Sequence, residues 1–291
     1  MAVKAGHIDD DLLGYLPRPG LTTPTTNVDG AGLRRCGTET VDAAGPPILA
    51  VGDSFTWGES VADHETWPAH LQAISGRRVL NGGVTGYGLD QIVLRAEILA
   101  RVHKPADIVV GVIADDVWRT EMSRLWAYNK PWFRPAGDGL QLMGVPVRPW
   151  KPPFGLSLQW FESLCFRFPY PLQLAAGYHR RAQRAGLGPR VAERLVDRLA
   201  ALQSTSGSRV TLLALSEQFP WDPRFSRAWI NARRGLSQVV IDRARERGLA
   251  LVDCHPAIDA QARPLELFEN FHMTSAGNRL VAGLAAAALS P

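Results

Sequence analysis

The sequence predicts an α/β fold: a parallel sheet of about five strands, covered by helices on both faces, with one long insertion after the third strand. Three observations lead there. Short, nearly all-apolar runs such as PPILAVGDS (46–54) and ADIVVGVIADD (106–116) read as strands buried on both faces. Segments at helical spacing alternate with them, as strand–helix–strand units require. The alternation stops near Val117 and resumes near Gly188, so the additional length is concentrated in one stretch.

Residues 8–45, rich in Gly, Pro, Thr and Asp, read as an irregular lead-in. The first strand then ends abruptly in Gly52-Asp53-Ser54. TWPAHLQAI (66–74) reads as a helix and RRVLNGG (77–83) as a second strand leaving into glycines. LDQIVLRAEILARV (89–102) sets Ile92, Leu94, Ile98, Leu99 and Val102 near helical spacing. The third strand, 106–116, finishes in two carboxylates, Asp115 and Asp116.

The insertion, about 117–188, is crowded with aromatics and prolines: Trp118, Trp126, Trp132, Trp150, Trp160, and the strings KPW, RPW and KPPF. RPAGDGLQLMGVPV (134–147) reads as a small hairpin turning at Gly-Asp-Gly. Two readings of the insertion stand: a satellite core, or a lid over the sheet edge. The regular pattern resumes with a helix (189–203), a strand RVTLLALS (209–216), a helix around 226–247, a strand LALVDCH (249–255) and a last helix from Ser275 to Leu289.

With 46% apolar residues the 291-residue chain can bury a sizeable core, and one domain over 1–291 is expected. The net charge is +4, and the basic side is almost all arginine, lysine occurring only at 4, 104, 130 and 151. No basic run interleaves with aromatics, so no nucleic-acid partner is expected. Cys36, Cys165 and Cys254 have no zinc spacing and read as structural thiols. MAVKAGHIDDDLLGYL lacks the charged start and apolar core of a signal peptide, and no run nears the roughly 18–20 apolar residues of a membrane span. A soluble, cytoplasmic chain without a membrane partner is expected; oligomeric state is not legible. Gly83, Gly86 and Gly88 have the wrong spacing for a dinucleotide fingerprint, and no phosphate-loop sequence occurs. No metal or organic cofactor is implied.

Ligands of open parallel sheets collect beyond the carboxyl ends of the strands. Three polar clusters fall just past predicted strand ends: Gly52-Asp53-Ser54, Gly83-Val84-Thr85-Gly86 and Asp115-Asp116. A fourth, Glu269-Asn270-Phe271-His272, precedes the last helix. A serine hydroxyl becomes nucleophilic when a base takes its proton, and histidine titrates in the right range. Acyl transfer also needs N–H donors for the developing oxyanion, which a strand-to-helix serine and a glycine loop can supply. Among the remaining histidines, His255 after the last strand is the one to watch.

GDSFTWG (52–58) resembles the first block of the SGNH hydrolases, the GDSL-type esterases, lipases and acetylesterases. NGGVTGYG (81–88), IADD (113–116) and ENFHMTSAGNRLVA (269–282) resemble its second, third and fifth blocks, in the family order. The resemblance implies a flavodoxin-like three-layer α/β/α sandwich with Ser54 as nucleophile, His272 as base and the N–H groups of Ser54 and Gly86 as oxyanion donors. Two positions depart from the pattern. Asp115 stands where the family has an oxyanion-hole Asn, read either as a functional departure or as a carboxylate held by Arg119 or backbone. Glu269 stands where the family has its triad Asp, read as the triad acid or as an exposed glutamate. Asp53 is expected to orient the first loop. The implied activity is cleavage of an acyl ester, on a glycan or a small metabolite. Two alternatives remain: acyl transfer by the same Ser/His pair, or ligand binding without catalysis.

Overall fold

The computed structural model describes residues 6–37, 45–126, 128–151, 165, 170–175 and 177–290. The lead-in is more ordered than its composition predicts. Strands β1 (His7–Asp10) and β2 (Gly14–Pro17) pair antiparallel, and Asp10 caps their turn by accepting from the N–H groups of Leu12 and Leu13. Arg34, farther along the lead-in, is buried. It donates to Asp63 and to the carbonyls of Trp57, Gly58, Thr25 and Val61, fastening the lead-in to the loop after the first core strand.

Core strands β3 (Ile48–Val51), β4 (Val79–Asn81) and β5 (Asp107–Val112) follow, all parallel; Ile48 faces Val79 on one side and Asp107 on the other. Helices Trp67–Ser75 and Leu89–His103 link them. The first is capped by Thr66, which accepts from the Ala69 N–H, and closes on left-handed Gly76. Strand β5 is shorter than the apolar run suggests. Asp116 accepts from the Ile113 N–H at 3.0 Å, and this contact starts the helix Ala114–Arg119 where a longer strand is predicted.

The described part of the insertion carries short strands: β6 (Met122–Leu125), β7 (Tyr128–Asn129), β8 (Trp132–Ala136), β9 (Gly139–Met143) and β10 (Arg180–Arg181). The β8–β9 hairpin turns at Gly137-Asp138, as predicted, with its first strand beginning two residues early. Trp126 and Trp150 pack on Cys165 and Tyr178 as a satellite core, while Trp160 and most of KPPF lie outside the described residues. Buried Lys130 fastens this region to the body. Its Nζ donates to Asp90 at 2.5 Å and to three backbone carbonyls. The ion pair satisfies two charges that would be costly to bury singly.

The body resumes with helix Gly188–Ser206, β11 (Arg209–Ala214), helix Arg227–Glu246 and β12 (Ala250–Asp253). The sheet order is β12-β11-β5-β3-β4, all parallel, which is 2-1-3-4-5 along the chain. Helices Leu89–His103, Gly188–Ser206 and Arg227–Glu246 bury one face, with Val110, Val210 and Leu212 beneath them. Helices Trp67–Ser75 and Ser275–Leu289 bury the other, over Ile48, Val109 and Leu213. Each such aliphatic side chain contributes about 1.5–3 kcal/mol, so the strand backbones are fixed and their carboxyl ends form a rigid edge. No helix among the described residues is long and apolar enough to cross a membrane.

Candidate active site

Ser54 is the first residue of a one-turn helix, Ser54–Trp57, that begins three residues past β3. Asp53 caps it by accepting from the Phe55 N–H at 2.9 Å. The capping leaves Ser54 buried at 4% exposure, with its own N–H unpaired among the described residues. Gly52 and Gly83 let the segments after β3 and β4 close on one another and on β5; a Cβ on Gly83 would lie 2.3 Å from the Trp57 nitrogen.

His272 comes from a hairpin made by β13 (Phe268–Glu269) and β14 (His272–Met273). Its two-residue turn has both φ angles positive, +48° at Asn270 and +70° at Phe271. His272 Nε2 lies 3.0 Å from Ser54 Oγ, and the Phe55 ring sits 5.3 Å from the imidazole. His272 Nδ1 lies 3.2 Å from the Asn270 carbonyl. A carbonyl only accepts, so this contact assigns the proton to Nδ1 and leaves Nε2 free to accept from the serine. Glu269 is cross-strand from His272 and exposed, and no hydrogen bond joins the two among the described residues. The geometry therefore gives the orienting contact to a backbone atom in place of the expected acid.

Gly86 lies in the loop after β4, at φ +79°. That loop is held from three sides. The Val84 N–H donates to the Gly52 carbonyl, Tyr15 of the lead-in donates to the Thr85 carbonyl at 2.9 Å, and Thr85 donates to Glu59 at 2.9 Å. A Cβ on Gly86 would meet the Trp126 ring at 2.2 Å and the Tyr15 hydroxyl at 3.0 Å. Trp126 thus brings the insertion against the loop, so the described part serves as satellite core and as wall. The Gly86 N–H, like that of Ser54, has no partner among the described residues.

A charged cluster underlies these loops. Buried Arg119 donates through Nη1 to Asp53 at 3.1 Å, to Asp116 at 2.9 Å and to the Tyr87 carbonyl at 2.9 Å. Burial works against this guanidinium, but Asp115, Asp116 and Asp53 outweigh it and raise its pKa. Burial, then the nearby Asp53, pushes the Asp116 carboxyl well up. Asp53 accepts from both Arg119 and the Phe55 N–H, which fits the loop-orienting role expected of it.

Asp115 is held, but not as the donor an oxyanion hole needs. Arg233 lies 2.6 Å from its Oδ1 and Arg119 3.7 Å from its Oδ2, so both oxygens face cations. Expected among the oxyanion-hole groups or held as a carboxylate by Arg119 or backbone, Asp115 is ion-paired with two arginines. Arg233 also pairs with buried Glu217, whose pKa rises to about 8 through burial and the Asp115 charge. Arg233, Tyr15 and the Asn270 carbonyl were not legible as site groups. Each acts from a distant segment or from the backbone, where no motif marks it. His255 pairs with Asp253 at 2.7 Å and lines a cavity with Arg233 and Glu217. Among the described residues no three His, Cys, Asp or Glu side chains converge as a metal site would require.

A family model described as GDSL-like lipase/acylhydrolase matches residues 50–280. Among solved structures, a G-D-S-L family lipolytic protein from Desulfitobacterium hafniense DCB-2 superposes with TM-score 0.51 at 14% identity, covering 84% of this chain and 100% of that one. LAE5, an α/β hydrolase enzyme from the metagenome of Lake Arreo, Spain, superposes with TM-score 0.51 at 18% identity, covering 86% and 97%. These identities establish a shared fold, the three-layer arrangement of the sheet above. No curated protein matches the chain in sequence.

Proposed function

The chain belongs to the GDSL-like lipase/acylhydrolase family, and from that membership we propose that it hydrolyses an acyl ester through Ser54 and His272. One observation carries the reading: Ser54 Oγ and His272 Nε2 are 3.0 Å apart, although 218 residues separate them in the chain. As Oγ attacks the acyl carbonyl, Nε2 takes the hydroxyl proton. The unpaired N–H groups of Ser54 and Gly86 receive the developing oxyanion. The intermediate then expels the alcohol, which leaves with the proton from His272, and the acyl group stays on Oγ. Water repeats the cycle from the other side and releases the carboxylic acid.

The Asn270 carbonyl keeps the ring oriented but brings no full charge to the imidazolium. A slower enzyme than one with a carboxylate at Nδ1 is therefore expected. The substrate is an O-acyl ester of a glycan or a small metabolite. The non-catalytic reading requires Ser54 and His272 out of reach of each other, and their separation counts against it. The transferase reading gains one point from Trp126, whose ring beside Gly86 shields the loop from water.

The test is hydrolysis of short p-nitrophenyl esters from about pH 5 to 9 by the wild type, Ser54→Ala and His272→Ala. Loss of about 10³-fold or more in both variants is expected. A wild type no faster than its variants, with or without an added alcohol acceptor, overturns the proposal.

A further inference from the structure

We propose that Phe219, Phe225, Trp229 and Phe271 form the seat of an apolar acyl group in the substrate, a reading that rests on the Ser54–His272 chemistry above. The first observation is backbone strain. Phe271 adopts φ +70° in a turn whose second position favours glycine, and it does so while 48% exposed. A bulky residue in this region costs roughly 1–3 kcal/mol, and a half-exposed ring recovers little of that by burial. The strain holds an aromatic ring at the surface, one residue from His272.

The second observation is what that ring meets. Phe219 lies 6.0 Å from Phe271, 4.7 Å from Phe225 and 4.8 Å from Trp229, and Phe225 stacks on Trp229 at 4.9 Å. Trp229 remains 37% exposed. Arg233 lies against the faces of Phe219 and Trp229, 4.9 and 4.7 Å from their centroids, and ion-pairs with Asp115 at 2.6 Å. The rings therefore run from the residue before His272, whose Nε2 meets Ser54, to the arginine that holds Asp115.

The chemistry of the rings selects the occupant. Of the four only Trp229 carries a polar atom, so the surface has little to offer sugar hydroxyls and much to offer methylene groups. The charge of Arg233 is already shared by Asp115 and Glu217, so it is not free to hold an anionic substrate group.

The experiment compares kcat/KM for p-nitrophenyl octanoate and acetate in the wild type, Phe271→Gly and Phe271→Leu. Glycine relieves the strained φ, so the variant folds, while leucine keeps an apolar side chain. The octanoate-to-acetate ratio should fall about tenfold in Phe271→Gly and stay within about threefold in Phe271→Leu. An unchanged ratio overturns the proposal, as does an equal loss on both esters, which would make Phe271 a support for His272. An unchanged ratio with altered self-association would assign the rings to a second copy of the chain. If the wild type turns over neither ester, the ester reading has failed, and sodium octanoate is titrated against tryptophan fluorescence. Saturable quenching weakened about tenfold in Phe271→Gly would support the seat, and quenching indifferent to that substitution would overturn it.

Discussion

His272 Nδ1 faces the backbone carbonyl of Asn270 at 3.2 Å, although the glutamate at the motif's acid position, Glu269, lies directly across the hairpin. A backbone atom orients the ring, so in the proposed mechanism the carboxylate has no necessary part in the proton transfer. Glu269→Gln should change kcat/KM by less than about threefold, against the roughly 10⁴-fold loss seen when a true triad acid is neutralised. Steady-state ester kinetics checks this, and a loss beyond a hundredfold would return Glu269 to the triad.

Asp115→Asn replaces a carboxylate held by two arginines with a group that can donate. One added oxyanion donor can be worth 10²–10³ in kcat, and about tenfold of that is expected here because the amide must share its position with Arg233. Thermal stability should fall by about 1–2 kcal/mol, since Arg233 loses a charge-assisted partner. Kinetics and thermal melts on the same sample separate the two effects. A fall in both would make the Asp115–Arg233 pair essential to the shape of the edge.

Gly86→Ala forces a Cβ into the Trp126 ring at a φ of +79°. A stability loss of about 1–3 kcal/mol should accompany a drop in kcat of about 10²-fold as the N–H is displaced. KM should move far less. A variant with wild-type kcat would remove Gly86 from oxyanion stabilisation.

His179 should make the insertion sensitive to acid. Its Nδ1 accepts from the Trp126 N–H and Nε2 meets Gln173, an arrangement of the neutral ring, and burial lowers its pKa to about 4. Below about pH 6.5 the unfolded chain takes up a proton that the folded protein refuses until about pH 4. Stability from this group is thus fully present above about 6.5, declines between 6.5 and 4, and is level below. Melting temperatures of wild type and His179→Asn across that range should converge toward acid, and parallel curves would refute the coupling.

The parts of the fold that were legible are those written in local chemistry. Continuous apolar runs gave β3, β5 and β11, and apolar residues near helical spacing gave the helix at 89–102. The same locality explains the failures. Ile113 and Ala114 extend an apolar run, yet Asp116 bends the backbone into a helix there. The β1–β2 hairpin was missed because what it supports, through Tyr15 and the Thr85 carbonyl, lies 70 residues away. Within the candidate site, Ser54, Gly86 and His272 sit in short motifs and could be read as candidates. The Asn270 carbonyl could not, because a backbone acceptor leaves no mark on residue identity.

Arg119 ties Asp53, Asp116 and the Tyr87 carbonyl through one nitrogen. The segments that follow three separate strands therefore share a single fastening, and substitutions in them should be non-additive. In a lineage of such chains, a change accepted in one segment resets what the other two tolerate. These segments would be expected to diversify as a correlated set, and a graft of one alone from a distant relative should fail more often than a graft of all three.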